Sequence, residues 1–330
     1  MKQRPRCLVV CQAGEGVGLG HLMRSIVAAR SLQQIIQADI HFLVQCDALD
    51  PYILGEFVVD TISKNEDLAL ALQSTANTFN PDVVVMDLFG SWVPQNFSNA
   101  LQVLQKRVKL VAIDALAGCS TFIDLLFIPS FLQPVNADQS PAKTVFGWDC
   151  FLLNVQGSQK APVVEPRVLV LTGGSDATGL GQTWPALLNH ALPAEAFVDW
   201  VTGPYAKTPL LPSNPKISIK NHLAPKGLGS LMQQASFALT VYGVSFYELL
   251  YLGIPTVVFS PYGVKDRREL DAVKREGVAL VANDEVHAIE LLAELMSSPA
   301  LAKTMSLQAR ETLSKSGGER LATEIAQLLS

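Results

Sequence analysis

The chain has 330 residues, a hydrophobic content of 49% and a formal net charge of -5 at pH 7. This length exceeds that of a usual single core and predicts two domains. Basic residues are scattered apart from residues 265–268, which excludes nucleic acid as an expected partner, and no apolar run approaches the ~20 residues of a membrane helix.

Apolar runs of strand length alternate with helical patterns in the first half of the chain. The runs cover residues 8–11, 40–44, 83–86, 110–113 and 125–128. This alternation is typical of an α/β protein whose parallel sheet carries helices on both faces. We therefore predict a first Rossmann-like, doubly wound domain over residues 1–155.

A glycine-rich segment, Gly-Leu-Gly-His-Leu-Met-Arg, occupies residues 18–24, between the first strand run and a helical pattern at residues 25–36. Glycines at the start of a helix give the backbone room and favour an anion, so we interpret Gly18 and Gly20 as substrate-binding. The helix dipole disfavours a cationic His21, and its neutral imidazole can accept a proton. We predict a catalytic role for His21; the alternative is a residue that caps the helix or packs under the loop.

Charged side chains follow the same predicted sheet edge. Arg24 lies one turn after His21 and contacts either a substrate phosphate or a carboxylate on a neighbouring strand. Asp87 and Asp114 each follow an apolar run, at the carboxyl edge where open α/β sheets bind ligands. We interpret Asp87 as a catalytic partner that orients His21, against the alternative of a helix cap, and we interpret Asp114 as a helix cap.

The alternation of strand and helix patterns stops at residues 155–166, which are rich in linker residues, and resumes after them. Further strands are predicted at residues 168–171, 197–201, 217–219, 237–241, 256–259 and 279–282. Helical spacing marks residues 230–234, 245–252, 268–276, 285–296, 300–314 and 318–329. We predict a second Rossmann-like domain over residues 166–330.

Two loops of this second domain are candidate nucleotide-binding loops. One follows the strand at residues 168–171, and the other opens the helix at residues 245–252, where backbone amides can face a diphosphate. Glu248 lies one turn into that helix and can accept hydrogen bonds from a ribose; the alternative is a glutamate that faces solvent. The predicted substrate-binding residues of the two loops are Gly173, Gly174, Ser175, Gly243, Val244 and Ser245.

Other classes of site find little support. Five cysteines without paired spacing predict buried free thiols in a reducing cytoplasm. Four further histidines are isolated from the cysteines and from each other, so we expect no metal and no cofactor. The glycine run at residues 14–18 lacks the Gly-x-Gly-x-x-Gly pattern with a following acidic strand end, which disfavours a nicotinamide-dependent dehydrogenase.

Three motifs occur in an order that resembles a known group of enzymes. They are Gly-x-Gly-His-x-x-Arg at residues 18–24, Gly-Gly-Ser-Asp at residues 173–176, and Gly-x-Ser-x-x-Glu at residues 243–248 followed by Leu-Gly-x-Pro. The chain resembles the UDP-sugar hydrolase of pseudaminic acid biosynthesis and, more broadly, the GT-B nucleotide-sugar glycosyltransferases. The resemblance implies two Rossmann-like lobes with a cleft between them. It also implies UDP bound by the C-terminal lobe, His21 as the base and Glu248 as the ribose ligand.

The function implied by this resemblance is hydrolysis of the anomeric C–O bond of a UDP-sugar with release of UDP, in bacterial surface-glycan or nonulosonic acid biosynthesis. The alternatives are a GT-B glycosyltransferase with a hydroxyl acceptor and a UDP-sugar-binding protein that has lost catalysis. The resemblance leaves the sugar, the acceptor and the oligomeric state open.

The chain departs from the hydrolase pattern mainly at residues thought to serve the chemistry. A His-Tyr pair is replaced by Leu88 and Phe89, and an Asp-Asp pair by Asp114 and Ala115. Near the domain boundary Asn154 stands where an arginine is expected, and Lys-Asp-Arg-Arg at residues 265–268 occupies the region of an Asn-Gln pair. The nucleotide-binding motifs match the hydrolase pattern better than these residues do. The sequence therefore leaves open whether the sugar acceptor is water or a hydroxyl compound.

Overall fold

The computed structural model describes residues 4–14, 16–47, 53–114, 116, 119–133, 142–155 and 166–330. The chain divides into two compact units, which we call unit 1 (residues 1–154 and 315–330) and unit 2 (residues 155–314). Ala115 and most of the predicted linker lie outside the described residues. Each unit contains its own parallel sheet, as predicted for two Rossmann-like domains.

Unit 1 contains a seven-stranded sheet in the order β3-β2-β1-β4-β5-β6-β7, with every neighbouring pair parallel. The strands are β1 (Arg6–Gln12), β2 (Asp39–Gln45), β3 (Val58–Ile62), β4 (Val83–Asp87), β5 (Lys109–Ile113), β6 (Leu125–Ile128) and β7 (Lys143–Phe146). The helices between them are α1 (Gly20–Ile36), α2 (Leu68–Phe79) and α3 (Phe97–Leu104).

The central strands of this sheet are apolar because both of their faces are covered. In β1, Cys7 and Val9 join the apolar cluster that contains α1 residues, whereas Leu8 and Val10 join the cluster that contains α2 and α3 residues. Successive side chains of a strand point to opposite faces, so a doubly covered strand reads as a continuous apolar run. This explains why the buried strands were predictable.

Unit 2 contains a six-stranded parallel sheet in the order β10-β9-β8-β11-β12-β13. Its strands are β8 (Arg167–Leu171), β9 (Phe197–Thr202), β10 (Ser218–Leu223), β11 (Phe237–Val241), β12 (Thr256–Phe259) and β13 (Leu280–Ala282). Its helices are α4 (Trp184–Ala191), α5 (Gly229–Gln234), α6 (Val244–Leu252), α7 (Arg267–Glu276), α8 (Glu285–Ser297) and α9 (Pro299–Thr312). None of the helices in the described part of the chain combines the length and apolar character that a bilayer crossing requires.

The last helix, α10 (Gly318–Leu328), belongs to unit 1. Its buried residues Leu321, Ala322 and Ile325 pack in the same apolar cluster as the buried face of α1. The approach is close, because a Cβ added at Gly318 would clash with Ser31 of α1. The predicted second domain of residues 166–330 is therefore too long: unit 2 ends at residue 314, and residues 315–330 return to unit 1.

The five cysteines are buried free thiols, as predicted. Burial raises the pKa of the Cys46 and Cys119 thiols and, as the main effect at Cys150, raises that pKa to about 12. Thiols in this environment stay protonated, so they pack as small apolar side chains.

Strand order reverses once in each sheet, and the two reversals define two ligand positions. In unit 1 the chain runs from β1 outward to β2 and β3, and then returns to β4 on the other side of β1. In unit 2 the same reversal falls between β8 and β11. The carboxyl ends of the strands open a crevice at such a switch point, which is the usual ligand position in open α/β sheets.

Candidate active site

The switch point of unit 1 brings His21 and Asp87 together. Helix α1 begins at Gly20, five residues earlier than predicted, so His21 lies within its first turn. Asp87 is the last residue of β4 and pairs in register with Cys11 of the neighbouring strand β1. Because α1 follows β1 directly, both side chains lie at the same carboxyl edge.

A short hydrogen bond joins these two side chains. His21 Nδ1 lies 2.6 Å from Asp87 Oδ1. A carboxylate only accepts hydrogen bonds, so Nδ1 carries the proton and donates it, and the lone pair of the neutral ring is on Nε2. No described residue forms a hydrogen bond with Nε2. An imidazole held in this tautomer has the arrangement of a general base.

Arg24 binds the same carboxylate. Its Nε donates to Asp87 Oδ2 at 2.9 Å, and its Nη2 donates to Oδ1 at 2.6 Å. Nη2 also lies 3.1 Å from His21 Nδ1, but both nitrogens are donors that share Oδ1, so this distance is not a bond between them. Of the two predicted roles of Arg24, the structure shows the carboxylate contact, and we do not assign this side chain to a substrate phosphate.

The electrostatics of this group keep Asp87 ionised. Asp87 is 0% exposed. Burial by itself raises the pKa of a carboxyl group, but the Arg24 cation and the His21 hydrogen bond outweigh it and hold the pKa of Asp87 below its ordinary value of 3.8. Burial opposes the charge of Arg24 too, yet Asp87 raises the pKa of that guanidinium. The carboxylate therefore remains an acceptor for His21 at neutral pH.

Asp114 adds a second carboxylate beside Arg24. It follows β5 with a φ of +71°, and its Oδ2 lies 3.7 Å from Arg24 Nη1, with 53% of the side chain exposed. The next helical turn in the described residues, Ser120–Phe122, has Cys119 at its cap position. The predicted helix-capping role of Asp114 is therefore wrong, because no described helix starts next to it.

Two buried glutamines that we did not predict hold the loop after β4. Gln12, the last residue of β1, accepts the N–H of Phe89 at 2.7 Å, and its Nε2 donates to Gln45 Oε1 at 2.7 Å. The Phe89 ring lies edge-on to His21, with centroids 6.2 Å apart. Gln12 ends an apolar run just as Asp87 does, and that was the available sequence signal.

The glycine loop before α1 is closed on itself. Gly18 N–H donates to the Gly14 carbonyl at 2.7 Å, and Gly14 N–H donates back to the Gly18 carbonyl at 3.1 Å. The amide of Gly18 is therefore used inside the loop, and this residue shapes the approach to His21. Gly20 is the first residue of α1, where backbone amides lack partners within the helix, so its substrate contact stays a prediction.

The switch point of unit 2 brings the two predicted nucleotide loops side by side. Gly173 and Gly174 follow β8, and Gly243 follows the neighbouring strand β11. Gly173 has a φ of +86°, and a Cβ at this position would lie 3.6 Å from Val241 at the end of β11. The two loops therefore lie next to each other at the carboxyl edge, as their placement after strands predicts.

The first of these loops is held from two sides. The loop after β9 approaches so closely that a Cβ at Gly203 would overlap the carbonyl groups of Gly173 and Gly174. On the other side, the two carboxylate oxygens of Asp176 accept backbone N–H groups of the turn Leu180–Gln182 at 3.0 and 2.9 Å. These contacts fix the path of the Gly-Gly backbone.

The second loop leads directly into α6. Gly243 precedes the helix, and no side chain caps the first turn. The N–H groups of Val244 and Ser245 thus have no partner within the helix, an arrangement that favours an anion. Glu248 lies one turn further and is 8% exposed, so the alternative of a glutamate facing solvent is wrong.

A second Asp–Arg–His group, which we did not predict, occurs within the sheet of unit 2. Asp199 is buried and accepts hydrogen bonds from Arg167 Nε at 2.6 Å and from His222 Nε2 at 2.7 Å. Because these residues come from three adjacent strands, their pairing depends on strand order. The two partners neutralise a buried carboxylate, which is a structural role for His222.

Neither a protein-family model nor a curated protein matches this chain. Solved structures do match it. MurG from Acinetobacter baumannii has 15% identity and a TM-score of 0.64 over 98% of this chain and 100% of its own. UGT2 from Phytolacca americana, complexed with UDP-2fluoro-glucose and pterostilbene, has 12% identity and a TM-score of 0.68 over 99% and 100%. The S. aureus MnaA-UDP co-structure has 14% identity and a TM-score of 0.68 over 98% and 97%.

The fold class of the chain is GT-B, with two Rossmann-like units. At identities of 12% to 15% the matches show this fold and leave the activity to be argued from the site. They agree with the fold that the resemblance implies, and they do not single out the hydrolase of pseudaminic acid biosynthesis.

Proposed function

We propose that the chain is an enzyme that transfers a sugar from a UDP-sugar to a hydroxyl group of an acceptor. The observation that carries this proposal is the 2.6 Å hydrogen bond between His21 Nδ1 and Asp87 at the switch point of unit 1. The GT-B fold supports the nucleotide-sugar part, since UGT2 and MnaA are matching structures that contain UDP or a UDP-sugar analogue.

In the proposed reaction, His21 Nε2 accepts the proton of the acceptor hydroxyl while the acceptor oxygen attacks the anomeric carbon of the donor sugar. The bond between that carbon and the diphosphate oxygen breaks, and its electron pair leaves with UDP. Asp87 stabilises the imidazolium that forms, as a buried carboxylate does for a histidine base. The products are the glycosylated acceptor, UDP and a proton that His21 later releases.

We propose that unit 2 binds the nucleotide. The backbone N–H groups of its two glycine loops, at Gly173 and Gly174 and at the start of α6, would hold the diphosphate and stabilise the charge of the leaving group. Glu248 would accept hydrogen bonds from the ribose hydroxyls. These roles follow from the resemblance and from the position of the loops at a switch point.

A hydroxyl acceptor is proposed ahead of water because of the residue beside His21. The resembled hydrolase has a His-Tyr pair after its strand-end aspartate, whereas here Leu88 is buried and Phe89 lies edge-on to His21. An ordered water needs two to four polar partners, and an apolar ring offers none. An organic acceptor can pack against the same ring.

The test incubates the purified chain with candidate UDP-sugars, with and without hydroxyl acceptors, and measures UDP. We expect UDP release that depends on the acceptor and that falls at least about 100-fold in His21→Ala, while UDP binding stays within about twofold of the parent chain. The control variant His190→Ala changes an exposed histidine of α4 and should leave both measurements unchanged.

Two other outcomes have definite meanings. UDP release in the absence of any acceptor would identify a UDP-sugar hydrolase. UDP binding that survives His21→Ala, combined with no turnover of any UDP-sugar, would identify a binding protein that has lost catalysis. Either result would overturn the proposed transfer reaction.

A further inference from the structure

Two buried glutamine side chains form a directional chain of hydrogen bonds at the carboxyl edge of the unit 1 sheet. Gln12 and Gln45 end β1 and β2, pair in register, and are 0% and 3% exposed. Gln12 Oε1 accepts the N–H of Phe89 at 2.7 Å, and Gln12 Nε2 donates to Gln45 Oε1 at 2.7 Å. Gln45 Nε2 in turn donates to the backbone carbonyl of Glu66 at 3.0 Å. The glutamine pair therefore joins the loop after β4 to the loop between β3 and α2.

Backbone groups at both ends fix the orientation of the two amides. A backbone N–H only donates and a backbone carbonyl only accepts, so the Phe89 N–H requires the oxygen of Gln12. At the other end, the Glu66 carbonyl requires the nitrogen of Gln45. The bond between the two glutamines then has one possible polarity. Leaving a buried polar group without its partner is costly, and both loops are therefore held in place through this pair.

Gln12 and His21 lie on opposite faces of the sheet. Along β1, Cys11 belongs to the apolar cluster of the α1 face, and Val10 belongs to the cluster of the α2 and α3 face. Because successive side chains of a strand alternate, Gln12 points to the α2 and α3 face, whereas His21 belongs to α1. Gln12 therefore does not reach a substrate at His21 Nε2, and its effect on a reaction there passes through another residue.

The residue that connects Gln12 with His21 is Phe89. It lies two residues beyond the end of β4, and its N–H is bound by Gln12. Its partly exposed ring lies edge-on to His21, with centroids 6.2 Å apart. Because the N–H and the ring belong to one residue, a shift of the backbone at Phe89 moves the ring relative to His21. The Gln12 hydrogen bond therefore sets the position of the ring.

Resting on the proposed function, we infer that Gln12 is a positioning residue for the acceptor. By binding the N–H of Phe89, it keeps the ring beside His21, where the ring forms one wall of the space that the acceptor hydroxyl enters. Gln45 supports Gln12 from the loop between β3 and α2. A displacement of about 1 Å near the reacting groups is enough to lower a rate by about 100-fold, so a residue without substrate contact can control the reaction.

Methionine variants test this role, because methionine resembles glutamine in length but lacks the amide donor and acceptor. Gln12→Met should raise KM for the acceptor at least about fivefold and leave KM for the UDP-sugar within about twofold, since the loops of unit 2 are unchanged. Gln45→Met keeps the bond to Phe89 and should have a smaller effect in the same direction. Both constants are measured with the UDP-sugar and hydroxyl compound that the parent chain turns over.

A variant that is only less stable gives a different result. It lowers kcat in proportion to the folded fraction and keeps both KM values. The matched control is Thr75→Val in α2, which covers the same face as Gln12. Thr75 is 8% exposed and its hydroxyl donates to Asp60 at 3.4 Å, so the variant loses a buried hydroxyl and should keep both KM values. An acceptor KM in Gln12→Met equal to that of the parent chain overturns the inference.

NMR of the ligand-free chain tests the link between Gln12 and His21 without any substrate. The carbon-bound ring protons of His21, identified by their loss in His21→Ala, are shifted by the nearby ring of Phe89, and Phe89→Leu removes this shift. We expect Gln12→Met to change these signals in the same direction, and to cause no further change in the Phe89→Leu chain. Gln45→Met provides the same measurement if Gln12→Met does not fold. Unchanged His21 signals, or equal changes with and without the Phe89 ring, overturn the inference.

The two proposals fail in different ways. Acceptor-dependent UDP release by the parent chain, with an unchanged acceptor KM in Gln12→Met, would leave the proposed function standing and remove the role of Gln12. No turnover of any UDP-sugar by the parent chain, with the expected change of the His21 signals in Gln12→Met, would remove the proposed function. Gln12 would then remain the residue that places Phe89 against His21.

Discussion

Asp87 accepts the Nδ1 proton of His21 at 2.6 Å, although the two residues are 66 positions apart in the chain. The carboxylate is fully buried, whereas 18% of the histidine side chain is exposed. One end of the imidazole is therefore fixed in the protein interior, and the other end faces the carboxyl edge of the sheet.

Removing the charge of Asp87 should destabilise the fold. Asp87→Asn keeps the size of the side chain but leaves the Arg24 cation without its buried partner. Breaking a buried pair in this way costs about 3–5 kcal/mol of unfolding free energy. Asp60→Asn removes an exposed partner of His41 and should cost about 0–1 kcal/mol. Urea unfolding of the two variants measures both values, and equal values would argue against the buried pair.

Acid should weaken the fold through the same group. The pKa of Asp87 is lowered in the folded chain, so its ionised form stabilises the fold above the pKa of the unfolded chain. This contribution is lost as pH falls from about 5 through the lowered pKa of the folded chain. We expect the unfolding free energy of the parent chain to fall more steeply over this range than that of Asp87→Asn. Urea titrations at several pH values check this, and parallel curves would contradict it.

Much of the fold was predictable because the central strands are buried on both faces and read as apolar runs. β3 and β7 were not predicted: they are the two edge strands of the unit 1 sheet, and only Val145 among their nine residues is buried. An edge strand with an uncovered face gives no continuous apolar run. The amphipathic pattern of α10 indicated an apolar face, but the pattern does not state which sheet that face covers.

The residue types of the site were predictable from their positions at strand ends, whereas their partners were not. Arg24 had two possible partners in sequence, and the choice between them depends on β4 lying next to β1. The Gln12–Gln45 hydrogen bond depends on β2 lying on the other side of β1. Strand order is a tertiary property, so a single sequence without a repeat or a matching family leaves these contacts open.

Gly243, directly before α6, should contribute more to UDP affinity than to the stability of the fold. Gly243 has an extended backbone, and a Cβ added there would lie in open space. Gly243→Ala should therefore keep its stability but bind UDP at least about tenfold more weakly, because a methyl group would block close approach of the diphosphate. Calorimetric titration with UDP measures the affinity, and unchanged binding would remove this loop from the site.

Gly203→Ala should give a different result from Gly243→Ala. Its Cβ would overlap the carbonyl groups of Gly173 and Gly174, so we expect losses of both stability and UDP affinity. Gly227→Ala is the control, since nothing lies within 4 Å of its added Cβ. Thermal unfolding and UDP titration of all three variants distinguish a loop that contacts UDP from a loop that only supports the backbone of Gly173 and Gly174.

Glu248 should recognise the ribose. Glu248→Gln should weaken UDP binding by about 10-fold or more, since a charge-assisted hydrogen bond to each hydroxyl is worth about 1.5–3 kcal/mol. The parent chain should show the same loss with 2′,3′-dideoxy-UDP, and the variant should show no further loss with this analogue. If Glu248→Gln lost further affinity with 2′,3′-dideoxy-UDP, the two losses would be independent, and Glu248 would not contact the ribose.

The most direct test of the account is the tautomer of His21, because the proposed base is Nε2. Long-range ¹H–¹⁵N NMR of the ring, with His21→Ala for assignment, distinguishes a protonated from an unprotonated ring nitrogen. We expect the proton on Nδ1 and the unprotonated nitrogen at Nε2, and a loss of this preference in Asp87→Asn. A ring protonated on Nε2 alone would contradict it.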